Sequence, residues 1–286
     1  MLLSEQFYQT EKTGYLNEQF RLFHLKDQTR KEFSYHYHDF HKVIIFLSGK
    51  AAYHIEGKSY YLKPWDILLV NRHAIHKPEI DFSVPYERFV LWIRDDIKST
   101  ELLRCFQKAI DRSYNLIRLD SDTQEKLKQL LYELEAALKD EKFGSDLLGS
   151  ALFTQFMVYV NRIFLEKQYI FDKKSYTFDS QIASILQYIN HNLKEDLSVE
   201  TLSARYYVSK YHLMRKFKQE TGYTLHNYIV NKRLLMARTL ISNGMPVTKA
   251  AQESGFAEYS TFSRAYRKQF KTNPSEELPH YSNPLK

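Results

Sequence analysis

The sequence predicts an α+β chain: an antiparallel β-barrel first, then helices, then an all-α domain with two helix-turn-helix motifs joined by a long helix. Three observations predict it. Short β-type runs separated by turns fill residues 1 to about 95. The apolar spacing switches to a helical period from Ser99 onward. The stretch from Leu197 to Leu278 then states one pattern twice, at a repeat of 48 residues that becomes 49 after one inserted turn residue. With 286 residues the chain is long enough for two or three domains with proper cores. We divide it into a barrel (1–95), a helical segment (96–168), a linker (169–179) and a tandem helix-turn-helix domain (180–286).

In the barrel region, Phe33 to His38 reads as a short aromatic strand, and Val43-Ile44-Ile45-Phe46-Leu47 as a strand buried on both faces. Ser48-Gly49 turns the chain. Ala51 to Ile55 and Tyr60 to Leu62 form a hairpin through Glu56-Gly57-Lys58, with Gly where a positive φ is wanted. Lys63-Pro64 breaks the pattern, Asp66 to Val70 is the next strand, and Arg88 to Ile93 closes the series. Many short strands between turns are the mark of a small antiparallel barrel.

Helices follow. Leu102, Leu103, Phe106 and Ile110 mark a short one. Ser121-Asp122-Thr123-Gln124 reads as a capping box with Ser121 at the cap, opening a helix with Leu127, Leu130, Leu131, Leu134 and Leu138 on one stripe. After Gly144 a third helix carries Leu148, Ala151, Leu152, Tyr159, Ile163 and Phe164. Glu166 to Asp179 shows no period and is expected to link the domains.

Ser180 is positioned to cap a helix with the stripe Ile182, Ile185, Leu186, Ile189 and Leu193, while Ser198 and Ser209 stand at the caps of the next two. A long helix from Leu225 to Ser242, stopped by Asn243-Gly244 and Pro246, separates the two motifs. Its length is about 27 Å at the usual rise per residue. With the flanking turns it would set the two second helices about 34 Å apart, one turn of B-DNA. In each of those helices an apolar pair four apart, Leu213 with Phe217 and Phe262 with Tyr266, flanks an outward arginine, Arg215 and Arg264.

Charge agrees with that division. From Ser180 onward there are fifteen Lys/Arg against eight Asp/Glu, a balance of +7, while the first 179 residues hold 26 of each. A polyanionic partner for the last third is the simplest consequence. Arg215 is suited to guanine, and Tyr211 and Met214 to thymine methyls or base edges. Ser260, Arg264 and Arg267 face outward in the second copy, with Tyr259 and Ser263 beside them. Lys210, Lys218, Arg267 and Lys268 suit phosphates, which position without specifying.

The run Val208-Ser209-Lys210-Tyr211-His212-Leu213-Met214-Arg215-Lys216-Phe217 through Gly222 resembles the first recognition helix of the AraC/XylS regulators. Val247 through Arg264 is similar to their second. That resemblance implies base contacts at Tyr211, Met214 and Arg215, and at Tyr259, Ser260, Ser263 and Arg264. It further implies a small-molecule effector, activation together with RNA polymerase, and a homodimer, with the helix from Thr123 to Lys139 as the dimerisation candidate; packing within the chain is the alternative. Three residues depart from glycines common in the resembled pattern: Trp65, Tyr207 and Lys271. Leu278 stands where an arginine is usual.

The front of the chain resembles a cupin-type sensor domain through His36-Tyr37-His38, Leu47-Ser48-Gly49, Leu62-Lys63-Pro64-Trp65-Asp66 and His76. His36, His38 and His76 could converge as ligands of a zinc or iron ion. Lys42, however, falls where a metal-binding cupin has Glu, so no metal and no cofactor are expected. The expected pocket is lined by Tyr35, His36, His38, Trp65, His76 and Trp92, with Tyr37 and Phe40 as further stacking faces, and takes an uncharged small molecule such as a sugar. A metal-dependent cupin enzyme with an accessory DNA-binding domain is the alternative, and a ligand-independent DNA-binding protein a third reading.

No apolar run is expected to span a membrane. Met1 to Gln6 lacks the basic and apolar regions of a signal peptide. The single cysteine, Cys105, suits a reducing compartment. The expected location is the cytoplasm.

Overall fold

The computed structural model describes residues 16, 18–28, 33–172 and 175–277. Met1 to Gln6 and Leu278 lie outside the described residues. The chain divides into two compact units, with the boundary between Thr177 and Phe178.

The first unit holds two antiparallel sheets rather than one closed barrel. The five-stranded sheet runs β1 (Phe20–Asp27), β7 (Tyr86–Ile93), β2 (His41–Ser48), β5 (Ile67–Val70) and β8 (Leu116–Ile117). The four-stranded sheet runs β6 (His76–Ile80), β3 (Ala51–Ile55), β4 (Lys58–Tyr61) and β9 (Tyr176–Phe178). β2 is central to the larger sheet, and Val43, Ile44, Ile45 and Phe46 are all buried, which is why its apolar run does not alternate. The β3–β4 hairpin turns on Glu56 and Gly57, both at positive φ (46° and 75°), the backbone of a two-residue hairpin loop.

Several expectations change here. Phe33 to His38 is not a strand: His36 makes one isolated bridge, to His76. β8 and β9 complete the sheets from beyond residue 95, and β9 falls within the stretch expected to link the domains. A 3-10 turn (Thr100–Leu103) precedes α1 (Arg104–Arg112), and Ile110 is exposed on it.

α2 (Ser121–Lys139) is capped by Asp120, not Ser121; the carboxylate one residue earlier accepts from the Asp122 and Thr123 amides at 3.1 and 2.9 Å. Its Leu127, Leu130, Leu131 and Leu134 are buried within this unit, while Leu138 is exposed. α3 (Ser145–Leu165) buries Phe153, Phe156, Met157, Val160, Ile163 and Phe164 and leaves Leu148, Ala151 and Tyr159 exposed, so its inner stripe is rotated from the one expected. By length and composition alone α3 is long and apolar enough to cross a membrane, but those six side chains are buried in the core of this unit, as in a core helix.

The second unit is helical among its described residues. α4 (Ser180–His191) is capped by Asp179 instead of Ser180: the carboxylate accepts from the Ile182 amide at 2.9 Å. α5 (Val199–Arg205) and α6 (Lys210–Thr221) form the first helix-turn-helix, capped by Ser198 and Ser209. α7 (Leu225–Ser242) leads to α8 (Val247–Glu253) and α9 (Tyr259–Phe270), the second. Leu213 and Phe217 bury the inner face of α6, with Phe217 against Tyr228 of α7 at a ring distance of 5.4 Å. Phe262 and Tyr266 do the same for α9, packing with Leu234, Ala237, Ile241, Ala250, Ala251 and Phe256.

Candidate nucleic-acid interface and effector site

The outer faces of α6 and α9 follow from those buried pairs, because residues between them must point away from the core. On α6, Tyr211 is 75% and Met214 46% exposed, and Arg215, Lys218 and Lys210 are exposed as well. On α9, Tyr259, Ser260, Arg264, Arg267 and Lys268 are exposed and Ser263 half-buried. Arg215, Lys218, Arg267 and Lys268 make no ion pair among the described residues, so their charge is uncommitted. Lys210 is engaged with Glu200 at 2.6 Å, and Arg264 Nε donates to the Ser260 carbonyl at 3.3 Å on its own helix. Lys216, between Arg215 and Phe217, is paired with Asp179 and belongs to the scaffold.

Tyr207, Trp65 and Lys271 share a backbone property. Their φ values are 52°, 68° and 61°. The left-handed conformation a glycine would provide is therefore kept at all three without glycine, at a steric cost.

In the first unit the structure brings His36, His38 and His76 together, their ligand atoms lying within 4.8 Å of one another. The His36–His76 bridge does this, with amide-to-carbonyl distances of 3.0 and 2.9 Å. His36 Nδ1 donates to the Ser34 carbonyl at 2.8 Å and His76 Nδ1 to the Ala74 carbonyl at 2.9 Å. A carbonyl only accepts, so both rings carry their proton on Nδ1 and present Nε2 as a lone pair. Burial drives His36 down to about 4, opposed by its backbone bond and helped by Lys42. His76 is lowered well below the usual histidine range by burial, then by Lys42 and the two neighbouring imidazoles. Lys42 Nζ lies 3.5 Å from His76 Nε2, and burial, followed by Arg88, brings it down to about 7.

Phe40 and Trp92 stack beside this cluster at 4.4 Å, with Phe40 4.7 Å from the His38 ring. Tyr35 and Trp65 lie elsewhere. Tyr35 neighbours His54 and Lys77 on the small sheet, and Trp65 neighbours Tyr132 and Lys128 of α2. Tyr37 is buried near His73. Three imidazoles at this spacing suit a transition metal, but the set joins an amine rather than a carboxylate, and an ammonium 3.5 Å from one lone pair competes with a cation for it. The cluster fits a hydrogen-bonding site better than an ion site.

Sequence reasoning missed Arg118. Its Nε and Nη2 donate to the two carboxylate oxygens of Asp66 at 2.8 and 2.6 Å, and Nη1 to Asp172 at 2.8 Å and to Ser175. Fifty-two residues separate Arg118 from Asp66, so no local signal announces the pair.

Comparisons with known proteins accord with both halves. Residues 22–157 match the model of the AraC-like ligand binding domain and residues 202–278 that of a helix-turn-helix domain. The probable transcriptional regulator LumQ of Photobacterium leiognathi is 26% identical over 246 residues, covering 86% of this chain and 92% of that protein. The HTH-type transcriptional activator RhaS of Enterobacter sp. (strain 638) is 25% identical, covering 85% and 87%. RhaR of Mannheimia succiniciproducens, also named an activator, is 22% identical, covering 85% and 86%. Among solved structures, the match to ToxT from Vibrio cholerae covers 92% of this chain and 100% of that one at 16% identity, with a TM-score of 0.36. The relatives are regulators of transcription, not enzymes. The chain belongs to the AraC family of DNA-binding transcription regulators, with a ligand-binding domain ahead of its helix-turn-helix domain.

Proposed function

We propose that this regulator is an activator that inserts α6 and α9 into two successive major grooves and changes its DNA binding when a small molecule occupies the sensor unit. The observation that carries this is the repeated arrangement of a buried apolar pair under an outward face of arginine and aromatic or hydroxyl side chains. Tyr211, Met214 and Arg215, and Tyr259, Ser260, Ser263 and Arg264, are the base-contacting set; Lys210, Lys218, Arg267 and Lys268 are the phosphate-contacting set. Lys210 would exchange Glu200 for phosphate. The similarity to the transcriptional activators RhaS and RhaR supports activation, and with it contact to RNA polymerase.

The effector class follows from the cluster chemistry. The His36 Nε2 lone pair accepts from a hydroxyl, Lys42 donates, and Trp92 offers a flat apolar face, a combination that suits a sugar. His36, His38, His76 and Trp92 form this set; Tyr35 and Trp65 would stand outside it. A homodimer would use Phe143, Leu147 and Leu148, exposed around the start of α3, because the leucine stripe of α2 is occupied within the chain. The cytoplasm is the proposed location.

The test is gel retardation of DNA flanking the protein's own gene, with and without a panel of sugars. Retardation of specific fragments, weakening steeply with salt and altered by one sugar or more, is expected. Absence of any DNA binding at low salt overturns the proposal; binding that no small molecule alters leaves the ligand-independent reading standing. A second expectation concerns metal. Protein dialysed without chelator should hold no zinc, iron or manganese near one equivalent by elemental analysis, and stoichiometric metal would restore the cupin-enzyme alternative.

A further inference from the structure

The two helix-turn-helix turns are built from the same backbone bonds. The amides of Tyr206, Tyr207 and Val208 donate to the carbonyls of Leu202, Ala204 and Ser203 at 3.1, 3.3 and 3.0 Å. Those of Ser254, Gly255 and Phe256, 48 residues on, donate to Ala250, Gln252 and Ala251 at 3.0, 2.9 and 3.0 Å. The middle residue is left-handed in both, with φ 52° at Tyr207 and 93° at Gly255.

The surroundings differ. A Cβ at position 255 would lie 2.2 Å from the Leu193 carbonyl oxygen and 2.8 Å from Arg233 Nε, so only glycine fits there. At the first turn the corresponding place is open, and Tyr207 fills it with a side chain that is 97% exposed. That side chain has no hydrogen-bond, ion-pair or ring partner among the described residues. A bulky residue in the left-handed region is strained where glycine would be relaxed. Among the described residues nothing offsets the strain, and a large exposed aromatic adds none of the solubility a polar turn residue would. Selection for folding alone favours glycine at position 207.

What lies next to Tyr207 indicates the occupant. It precedes Ser209, the cap of the twelve-residue α6, and stands four residues ahead of Tyr211 at the N-terminal end of the exposed row Tyr211, Met214, Arg215 and Lys218. The start of a recognition helix is the part nearest the duplex, and the residues flanking it meet the strands rather than the bases. The uncommitted charge of Arg215 and Lys218 makes this face complementary to DNA. We propose that Tyr207 is a positioning contact to the DNA backbone, its ring against a deoxyribose and its hydroxyl donating to a phosphate oxygen. The second motif, with Gly255 at this place, lacks such a contact, so the first motif is the more firmly anchored of the two. This inference rests on the reading that α6 enters DNA.

The test uses the full chain and a fluorescent duplex enriched from a random pool by the wild-type protein, beside a scrambled duplex. Tyr207→Gly should keep or raise the thermal midpoint while weakening binding to both duplexes about tenfold; Tyr207→Phe should lose a smaller part, about threefold. Tyr207→Asn, whose side chain tolerates the left-handed region, should match the glycine variant. Wild-type affinity in Tyr207→Gly, alongside a loss of the enriched duplex in Arg215→Ala, overturns the inference and leaves the placement of α6 intact. Wild-type affinity in both overturns the two together. A loss confined to the enriched duplex makes Tyr207 a base reader and overturns the backbone assignment.

Discussion

Replacing Arg118 with alanine should destabilise the sensor unit by about 3–5 kcal/mol, the range for removing one partner of a buried ion pair. Asp66 is 1% and Arg118 8% exposed. Without the guanidinium, Asp66 keeps, among the described residues, the Lys63 amide alone, at 2.7 Å, against the burial of its charge. The loss is also topological. Arg118 follows β8, Asp66 precedes β5, and Asp172 and Ser175 precede β9, so one side chain ties an edge of each sheet. Arg118→Lys should recover little, because a lysine cannot make the two-pronged bond. The pair replaced together by leucine and methionine should lie much nearer wild type than either single change. Calorimetry of the full chain checks this. A loss under about 1 kcal/mol for Arg118→Ala would show the pair to be surface-like despite its burial.

Arg215→Ala and Arg264→Ala should each cost about 1–3 kcal/mol on a specific site, roughly 5- to 150-fold in affinity, and relax preference at one local base position. Both arginines are exposed beside buried pairs, so truncation removes reach without disturbing the core. Arg264 gives up a 3.3 Å bond to the Ser260 carbonyl when it reaches a base, whereas Arg215 has no such tether. The larger loss is therefore expected for Arg215. Lys218→Ala and Arg267→Ala should instead weaken all duplexes alike and flatten the salt dependence. Competition binding with single-base operator variants separates the two classes. Equal weakening on random and specific DNA by the arginine variants would reduce them to phosphate clamps.

Much of this fold was legible where the physical signal is local. The unalternating run at Val43–Leu47 marked a strand buried on both faces. Leu213 with Phe217 and Phe262 with Tyr266 located the inner faces of α6 and α9 by spacing alone. Caps were read one residue late at Ser121 and Ser180, because a carboxylate immediately ahead, Asp120 or Asp179, took the amide bonds. Tertiary partners set the rest. β8 and β9 are two and three residues long and exist only through the strands beside them. β1 went unread, although Phe20, Leu22 and Leu25 pack on the core from it. Four of the six expected pocket residues lie together: His36 and His76 through a single bridge between distant segments, with His38 and Trp92 beside them. Trp65 shows why the remainder did not follow: its left-handed backbone belongs to a tight turn, and its ring neighbours α2 rather than the histidines.

The most direct measurement of the central claim, that one chain reads DNA through two corresponding helices, is hydroxyl-radical footprinting of the full protein on its enriched duplex. Two protected windows about one helical turn apart on the same face of the duplex are expected. Arg215→Ala should erase protection in one window and Arg264→Ala in the other. A single window, or two windows that both substitutions weaken equally, would contradict the account.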